Sequence, residues 1–345
     1  MVIEEKIVVG MGTDWPLDGL LTLPAMSDAA NVANPVPAVV LVQGSGSHDM
    51  DEKIYKIRPF KDIAEGLAAR GVAAIRYNKR TYSHGRQMVR QNKQAMRGKG
   101  GRILTVQEEV IEDAVLAADL LKEDPRINPE QVYIVGHSLG GMLAPRIDAY
   151  RAGVGDSGTD GTDSILGDSG GNFAGLIILA GSPRKLADIM KQQQAKYVEN
   201  AKGIIKWIVK MQVERYASKL SNLSELSDEE AKVKPFAGGT TLYYLKDMDR
   251  WPVEDYLQNS TKPILIMQGE KDVQVLVEQD FNRYKELLAG NPNASFKLYE
   301  GLNHAFMPSI TDGINNALKE FKVARPVEDY VIADMADWIL EQAGA

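Results

Sequence analysis

Three observations predict an α/β fold whose mostly parallel sheet is covered by helices on both faces. Short aliphatic and β-branched runs alternate with stretches of helical periodicity along most of the chain. The runs are apolar throughout rather than alternating with polar residues, as strands buried on both faces are. Two glycine-rich turns, at 43–46 and 136–141, stand directly after such runs.

Taken in order, residues 5–9 and 19–23 read as an antiparallel edge, and 38–42 as the first buried strand. A helix over 60–70, closed by Gly71, leads to a strand over 72–77. Residues 104–123 form a long amphipathic stretch with Val106, Val110, Ala114, Ala117 and Leu121 on one stripe. Thr105 and Glu108 have capping-box spacing at its start. A strand over 132–135 precedes a helix beginning at Leu139, and 176–179, 264–267 and 296–299 are further strands. Pro326 opens the last helix, with Val327, Val331, Met335, Trp338 and Ile339 facing inward.

Three segments interrupt the alternation. Residues 85–101 are basic and polar and read as a solvated loop. Residues 153–172 are rich in Gly, Asp and Ser. They lack the Asp-x-Asp-x-Asp-Gly order of an EF-hand and read as a mobile surface insertion. Residues 184–260 form a long helical excursion between two strands, as a lid over the end of the sheet would. The domain reading is therefore a core of 1–183 and 261–345 with 184–260 inserted.

Composition narrows the chemistry. A net charge of −7 speaks against a nucleic-acid partner, which calls for a basic surplus. The absence of cysteine rules out disulfides, catalytic thiols and thiolate metal sites. The first residues are acidic where a signal peptide is basic, and no run has the length of a membrane span. A cytoplasmic location without membrane contact is the expectation, although a leader removed before this chain begins would leave no trace.

Two segments match Gly-x-Ser-x-Gly, a pattern too common to decide anything alone. Gly136-His137-Ser138-Leu139-Gly140 follows an apolar strand and precedes a helix. That setting puts a serine hydroxyl on a tight turn above the sheet, with glycines where side chains would collide. The second match, Gly167-Asp168-Ser169-Gly170-Gly171, spells a serine-protease signature. It lies in a polar loop without flanking strands and reads as coincidence.

Of the four histidines, His137 adjoins the serine too closely to serve it as base, and His48 and His84 follow earlier strands. His304 lies just after the last strand, at the end where open α/β sheets gather their sites. Asp272, after the strand over 264–267, is the candidate acid that orients the base, with Glu270 as rival. Backbone N–H groups of Ser45 and Leu139 are the candidate oxyanion donors. The 43–46 turn lacks the Gly-Lys-Ser/Thr ending of a phosphate-binding loop.

Gln43-Gly-Ser-Gly with Asp49 and Asp51-Glu52, Arg76-Tyr-Asn-Lys-Arg80, Asp124-Pro-Arg-Ile127, Gly136-His-Ser-Leu-Gly-Gly141, Gln268-Gly-Glu-Lys-Asp272 and Gly301-Leu-Asn-His304 occur in this order almost end to end. With them the chain resembles the bacterial carboxylesterases of the α/β-hydrolase superfamily, near cinnamoyl/feruloyl esterases and acyl-peptidase-like hydrolases. The resemblance implies an eight-stranded sheet, no cofactor and no metal. It also implies a two-step acyl-enzyme mechanism on a Ser138, Asp272, His304 triad, whose chain order it shares. Gln43 and Asn78 stand where relatives often have His and Asp, which leaves open the oxyanion-loop geometry and the bracing of Arg80.

A small-molecule carboxylic ester with a small, medium or aromatic acyl group is the expected substrate, and a homodimer is compatible with this reading. Among the excursion's aromatics, Tyr243, Tyr244 and Trp251 approach the strand leading to Asp272, and one of them is expected to touch substrate. A peptidase or amidase, an acyltransferase and a non-catalytic binding protein on the same fold are the alternatives. The intact Ser, Asp and His argue against the last.

Overall fold

The computed structural model describes residues 2–25, 34–150, 171–200, 207, 210, 211, 214, 220 and 222–344. Its strands are β1 (Val2–Val9), β2 (Leu17–Pro24), β3 (Val36–Val42), β4 (Ala73–Tyr77), β5 (Ile127–His137), β6 (Leu176–Leu179), β7 (Ile264–Gly269) and β8 (Ala294–Tyr299). They form one eight-stranded sheet in the order β1-β2-β4-β3-β5-β6-β7-β8. As expected, β1 and β2 are an antiparallel edge, with β2 antiparallel to β4; from β4 through β8 every pairing is parallel.

The apolar runs split by parity between two cores. Val40, Val42, Ile134, Ile178 and Ile266 join one cluster, and Val39, Leu41, Val135, Ile177 and Leu265 the other. Each fully buried residue of this kind contributes about 1.5–3 kcal/mol relative to exposure. The first face is covered by α3 (Glu112–Glu123) and α4 (Leu139–Ala149), the second by α1 (Pro59–Ala68) and α11 (Asp329–Ala343). Because β3 lies between β4 and β5, connections leave it in opposite directions, and the loops after β3 and β5 emerge side by side. Such a reversal opens a crevice at the carboxyl ends of the strands.

Two segments depart from expectation. The last helix begins at Asp329 rather than at Pro326, which precedes it outside any helix. Residues 85–101, read as a solvated loop, largely belong to α2 (Arg80–Ala95). The segment has little apolar content, yet Met88 and Asn92 are buried four residues apart on one face. Asn92 Nδ2 donates to Gly239 O at 2.8 Å, and its Oδ1 accepts from Leu104 N at 3.0 Å. A polar anchor thus holds the helix where hydrophobic periodicity gave no signal.

The 104–123 stretch opens on a π-helical turn, Gln107–Ile111, before α3. Here Glu108 accepts from Thr105 N at 2.9 Å and from its hydroxyl at 2.6 Å. Between β6 and β7 the described chain is helical, with α5 (Leu186–Asn200), α6 (Asp228–Val233), α7 (Leu242–Arg250) and α8 (Val253–Leu257); α8 packs on α4 and α7 on α5 and α6. Two short helices, α9 (Asn282–Leu287) and α10 (Ile314–Glu320), flank β8 in the chain. The Gly/Asp/Ser insertion lies outside the described residues except for its last two. Among the described residues no helix is long and apolar enough to cross a membrane.

Candidate active site

Ser138 sits between β5 and α4 with φ 52° and ψ −112°. This is a strained conformation for a residue with a side chain, costing about 1–3 kcal/mol. Neighbouring contacts impose it. Ser138 N donates to Leu179 O at 2.8 Å, and Met142 N returns to Ser138 O at 3.0 Å as the helix starts. A Cβ at Gly136 would come within 2.3 Å of Gly140 O, and one at Gly140 within 2.1 Å of Val42 O. The elbow can close only with glycine at both places. Ser138 stands at the head of α4, whose first N–H groups favour negative charge there.

His304 is buried in the turn after β8, and its Nδ1 lies 2.6 Å from Asp272 Oδ2. Its Nε2 has no hydrogen-bond partner among the described residues. Asp272 follows β7 and is saturated with donors. Gln268 Nε2 reaches Oδ2 at 2.8 Å, and the N–H groups of Gln274 and Val275 reach Oδ1 at 2.8 and 3.0 Å. Glu270, the rival acid, instead accepts from Gly301 N at 3.1 Å and shapes the approach to His304.

The His304 turn has its own brace. Asn303 Oδ1 accepts from Ala305 N and Met307 N at 3.0 and 3.2 Å, and its amide donates to Glu320 Oε2 at 2.5 Å. Burial acts to raise the pKa of Glu320. Hydrogen bonds from Asn303, Thr311, Ser309 and Ile310 outweigh it and hold the carboxyl below its ordinary range.

The loop after β3 comes against Ser138. A Cβ on Gly44 would lie 3.0 Å from Ser138 Cβ. Gln43, where relatives often carry His, is buried and donates through Nε2 to Tyr77 O, tying the loop to β4. Gly44 N–H is taken by Glu52 Oε1 at 2.6 Å, and Gly44 O accepts from Lys79 Nζ at 2.9 Å. Because a peptide is planar and trans, a donor fixed on the Gly44 carbonyl also fixes the opposite direction of the Ser45 N–H. Lys79 is buried and paired with Glu109 Oε1 at 2.9 Å, on the π-helical turn.

Arg80 is braced without position 78. It forms a fork on Asp113 at 2.5 and 3.0 Å and reaches Glu112 at 3.0 Å, while Asn78 Oδ1 accepts from Met50 N at 2.9 Å.

The remaining histidines find structural partners. His48 Nε2 lies 2.8 Å from Ser45 O, and His84 Nε2 2.8 Å from Pro16 O. His137 is buried between Glu52 and the His304 carbonyl.

The three aromatics from the helical segment divide. Tyr244 is buried, and its hydroxyl donates to Glu109 Oε2 at 2.7 Å; burial and that carboxylate push its pKa far up. Tyr243 is half-buried under Lys232 and Arg250. Trp251 lines a cavity of about 280 Å³ together with Met142, one turn on from Ser138, and Val253 and Tyr256. Ser169 lies outside the described residues. Glu52, Lys79, Glu109 and Asn303 have no role predicted from the sequence, although Glu52, Lys79 and Asn303 stand in motifs shared with the carboxylesterases. Their neighbours are themselves largely polar or charged, so nothing local in the sequence singles them out.

Comparison with known proteins agrees with this architecture. The model of the "Alpha/beta hydrolase family" matches residues 39–313. Esterase EstD of Thermotoga maritima is 31% identical over 338 residues, covering 98% of this chain and 68% of that protein. Among solved structures, Est1E from Butyrivibrio proteoclasticus superposes with a TM-score of 0.53 at 17% identity, over 99% of both chains. A thermophilic esterase, Est2, from Thermogutta terrifontis gives 0.54 at 17% identity, over 99% of this chain and 92% of that one. With a family match over most of its length and a relative of this identity, the chain belongs to the alpha/beta hydrolase family.

Proposed function

We propose that the chain hydrolyses carboxylic esters through an acyl-enzyme on Ser138. The observation that carries the reading is the 2.6 Å contact between His304 Nδ1 and Asp272. It orients the imidazole and leaves Nε2 without a partner among the described residues, which, with a strained serine at a helix N-terminus, supports this reading. The esterase names of EstD, Est1E and Est2 point the same way.

In the reaction, Ser138 Oγ attacks the ester carbonyl carbon while His304 Nε2 takes the hydroxyl proton. The hydrogen bond between them forms as the acyl group seats, since such contacts tighten in the substrate complex. Asp272 holds the tautomer and stabilises the imidazolium. The N–H groups of Ser45 and Leu139 receive the oxyanion, and the alcohol departs with the proton from His304. Water then attacks the acyl carbon, giving its proton to His304. Ser138 leaves as that proton returns to its oxygen.

The helices of 184–260 serve as the lid, and the Trp251-lined cavity takes the acyl group. Its apolar lining of Met142, Leu143, Trp251 and Val253 suits a medium or aromatic acyl group, alongside charged residues that include Arg146, Arg184 and Asp249, and a structure of Est1E holds ferulic acid. Hydrolysis of p-nitrophenyl acetate, butyrate and octanoate and of methyl ferulate, set against aminoacyl-p-nitroanilides, tests the reading. Ester turnover at least about 100-fold faster than anilide turnover is expected. The reverse preference would make the chain a peptidase.

A further inference from the structure

His137 and Glu52 stand outside the triad, yet they join its two halves. Glu52 is 1% exposed and His137 5%. His137 Nδ1 lies 3.0 Å from both carboxylate oxygens of Glu52, and Nε2 lies 3.1 Å from the carbonyl oxygen of His304. Both partners can only accept, because an ionised carboxylate and a carbonyl have no proton to give. A neutral imidazole has one N–H and would set a lone pair against one of them. Against an ionised Glu52 only the doubly protonated ring satisfies both contacts, whereas a protonated Glu52 donating to Nδ1 would leave the ring neutral.

The same Glu52 oxygen accepts Gly44 N–H at 2.6 Å. An unbroken chain therefore runs from the oxyanion loop through Glu52 and His137 to the backbone of the base.

We propose that the Glu52–His137 ion pair is a positioning element that fixes the oxyanion loop against the His304 turn, and that it works only while His137 carries two ring protons. This rests on the reading of Ser138 and His304 as nucleophile and base.

Charge supports the geometry. Burial opposes the imidazolium, but Glu52, the His304 carbonyl and Asp272 outweigh it and hold His137 above its ordinary value of 6.5. Burial likewise opposes the Glu52 carboxylate, and His137, His48 and Gly44 N–H outweigh it and hold it below 4.5. The other titratable ring facing His137 is that of His304, 4.8 Å away between centroids. The pair is neutral as a whole, so it holds the two loops without placing net charge beside the base. His137 contributes below its ordinary value and is lost as pH rises through its raised one. Glu52 contributes above its ordinary value and is lost as pH falls through its lowered one.

The test has two arms. In ¹⁵N-histidine NMR of the full chain at pH 7.5, His48→Gln, His84→Gln and His304→Gln assign three rings by difference. The remaining ring, His137, is expected to show two protonated nitrogens. A single protonated nitrogen overturns the proposal, whether or not any Glu52 variant folds.

Steady-state hydrolysis of p-nitrophenyl butyrate across pH 5–10 is the second arm. Glu52→Gln is expected to lower kcat by about 10- to 100-fold, as small misplacements do, with KM within about twofold. Its alkaline limb is expected to move to lower pH, and Glu52→Asp to restore part of both effects. A uniformly scaled profile with an unmoved limb overturns the proposal. Fluorophosphonate treatment of the unsubstituted protein separates the two readings. An adduct at Ser138 with an unmoved limb overturns the pair's role alone, whereas no adduct there overturns the nucleophile and the proposal together.

Discussion

The candidate site holds two carboxylate–imidazole pairs, one on the loops after β7 and β8 and one between the loop after β3 and the last residue of β5. They are built from the same groups at similar distances, 2.6 Å for Asp272–His304 and 3.0 Å for Glu52–His137. The difference lies at the second ring nitrogen. That of His304 has no protein partner among the described residues, whereas that of His137 meets a carbonyl. A ring with one acceptor can take up a proton and give it back. A ring held between two acceptors is committed to carrying both protons and acts as a strut. On the proposed reading, the count of acceptors, not burial or the presence of a carboxylate, separates base from brace.

Substitutions can break this contrast, and the largest effect belongs to the nucleophile. Ser138→Ala is expected to lower kcat for p-nitrophenyl butyrate by about a millionfold, leaving the thermal midpoint near that of the parent. Removing one carboxylate from each pair sharpens the comparison. Asp272→Asn lets the imidazole adopt the wrong tautomer and should reduce kcat about 10⁴-fold, well beyond the effect of Glu52→Gln. Equal losses from the two would erase the distinction drawn above.

Asn303→Ala leaves Glu320 without its buried amide donor and frees two N–H groups of the base turn. A loss of about 1–3 kcal/mol in urea unfolding is expected, with kcat reduced more than KM is raised. Trp251→Ala should act in the opposite sense. It should raise KM for medium-chain and aromatic esters by about 10-fold, with little change for acetate, because about 1–2 kcal/mol of apolar contact is lost.

The smallest kinetic change is expected of Tyr244→Phe. Its hydroxyl is occupied by Glu109, so the variant should lose about 1 kcal/mol of stability and keep its acyl-chain preference. A shifted preference in an ester panel would return Tyr244 to the substrate.

Much of this was legible in the sequence, for identifiable reasons. Parallel strands buried on both faces must be apolar along their length, so 38–42, 176–179 and 264–267 announce themselves. The elbow is legible because strand, glycine spacing and helix are all local in sequence. Asp272 and His304 stand out by their places just after strands.

Long-range polar contacts are what the sequence hides. Lys79 is 35 residues from Gly44 and Glu52 is 85 from His137, and no periodicity encodes either meeting. The helix Arg80–Ala95 was obscured for a related reason, since a buried asparagine rather than an apolar stripe anchors it.

The central claim is most directly tested by treating the full chain with a fluorophosphonate and mapping the modified peptide by mass spectrometry, beside Ser138→Ala and His304→Ala. One adduct is expected, on Ser138, absent from the first variant and formed far more slowly in the second. An adduct on another serine, Ser169 above all, or labelling of Ser138 at an undiminished rate without His304, would contradict it.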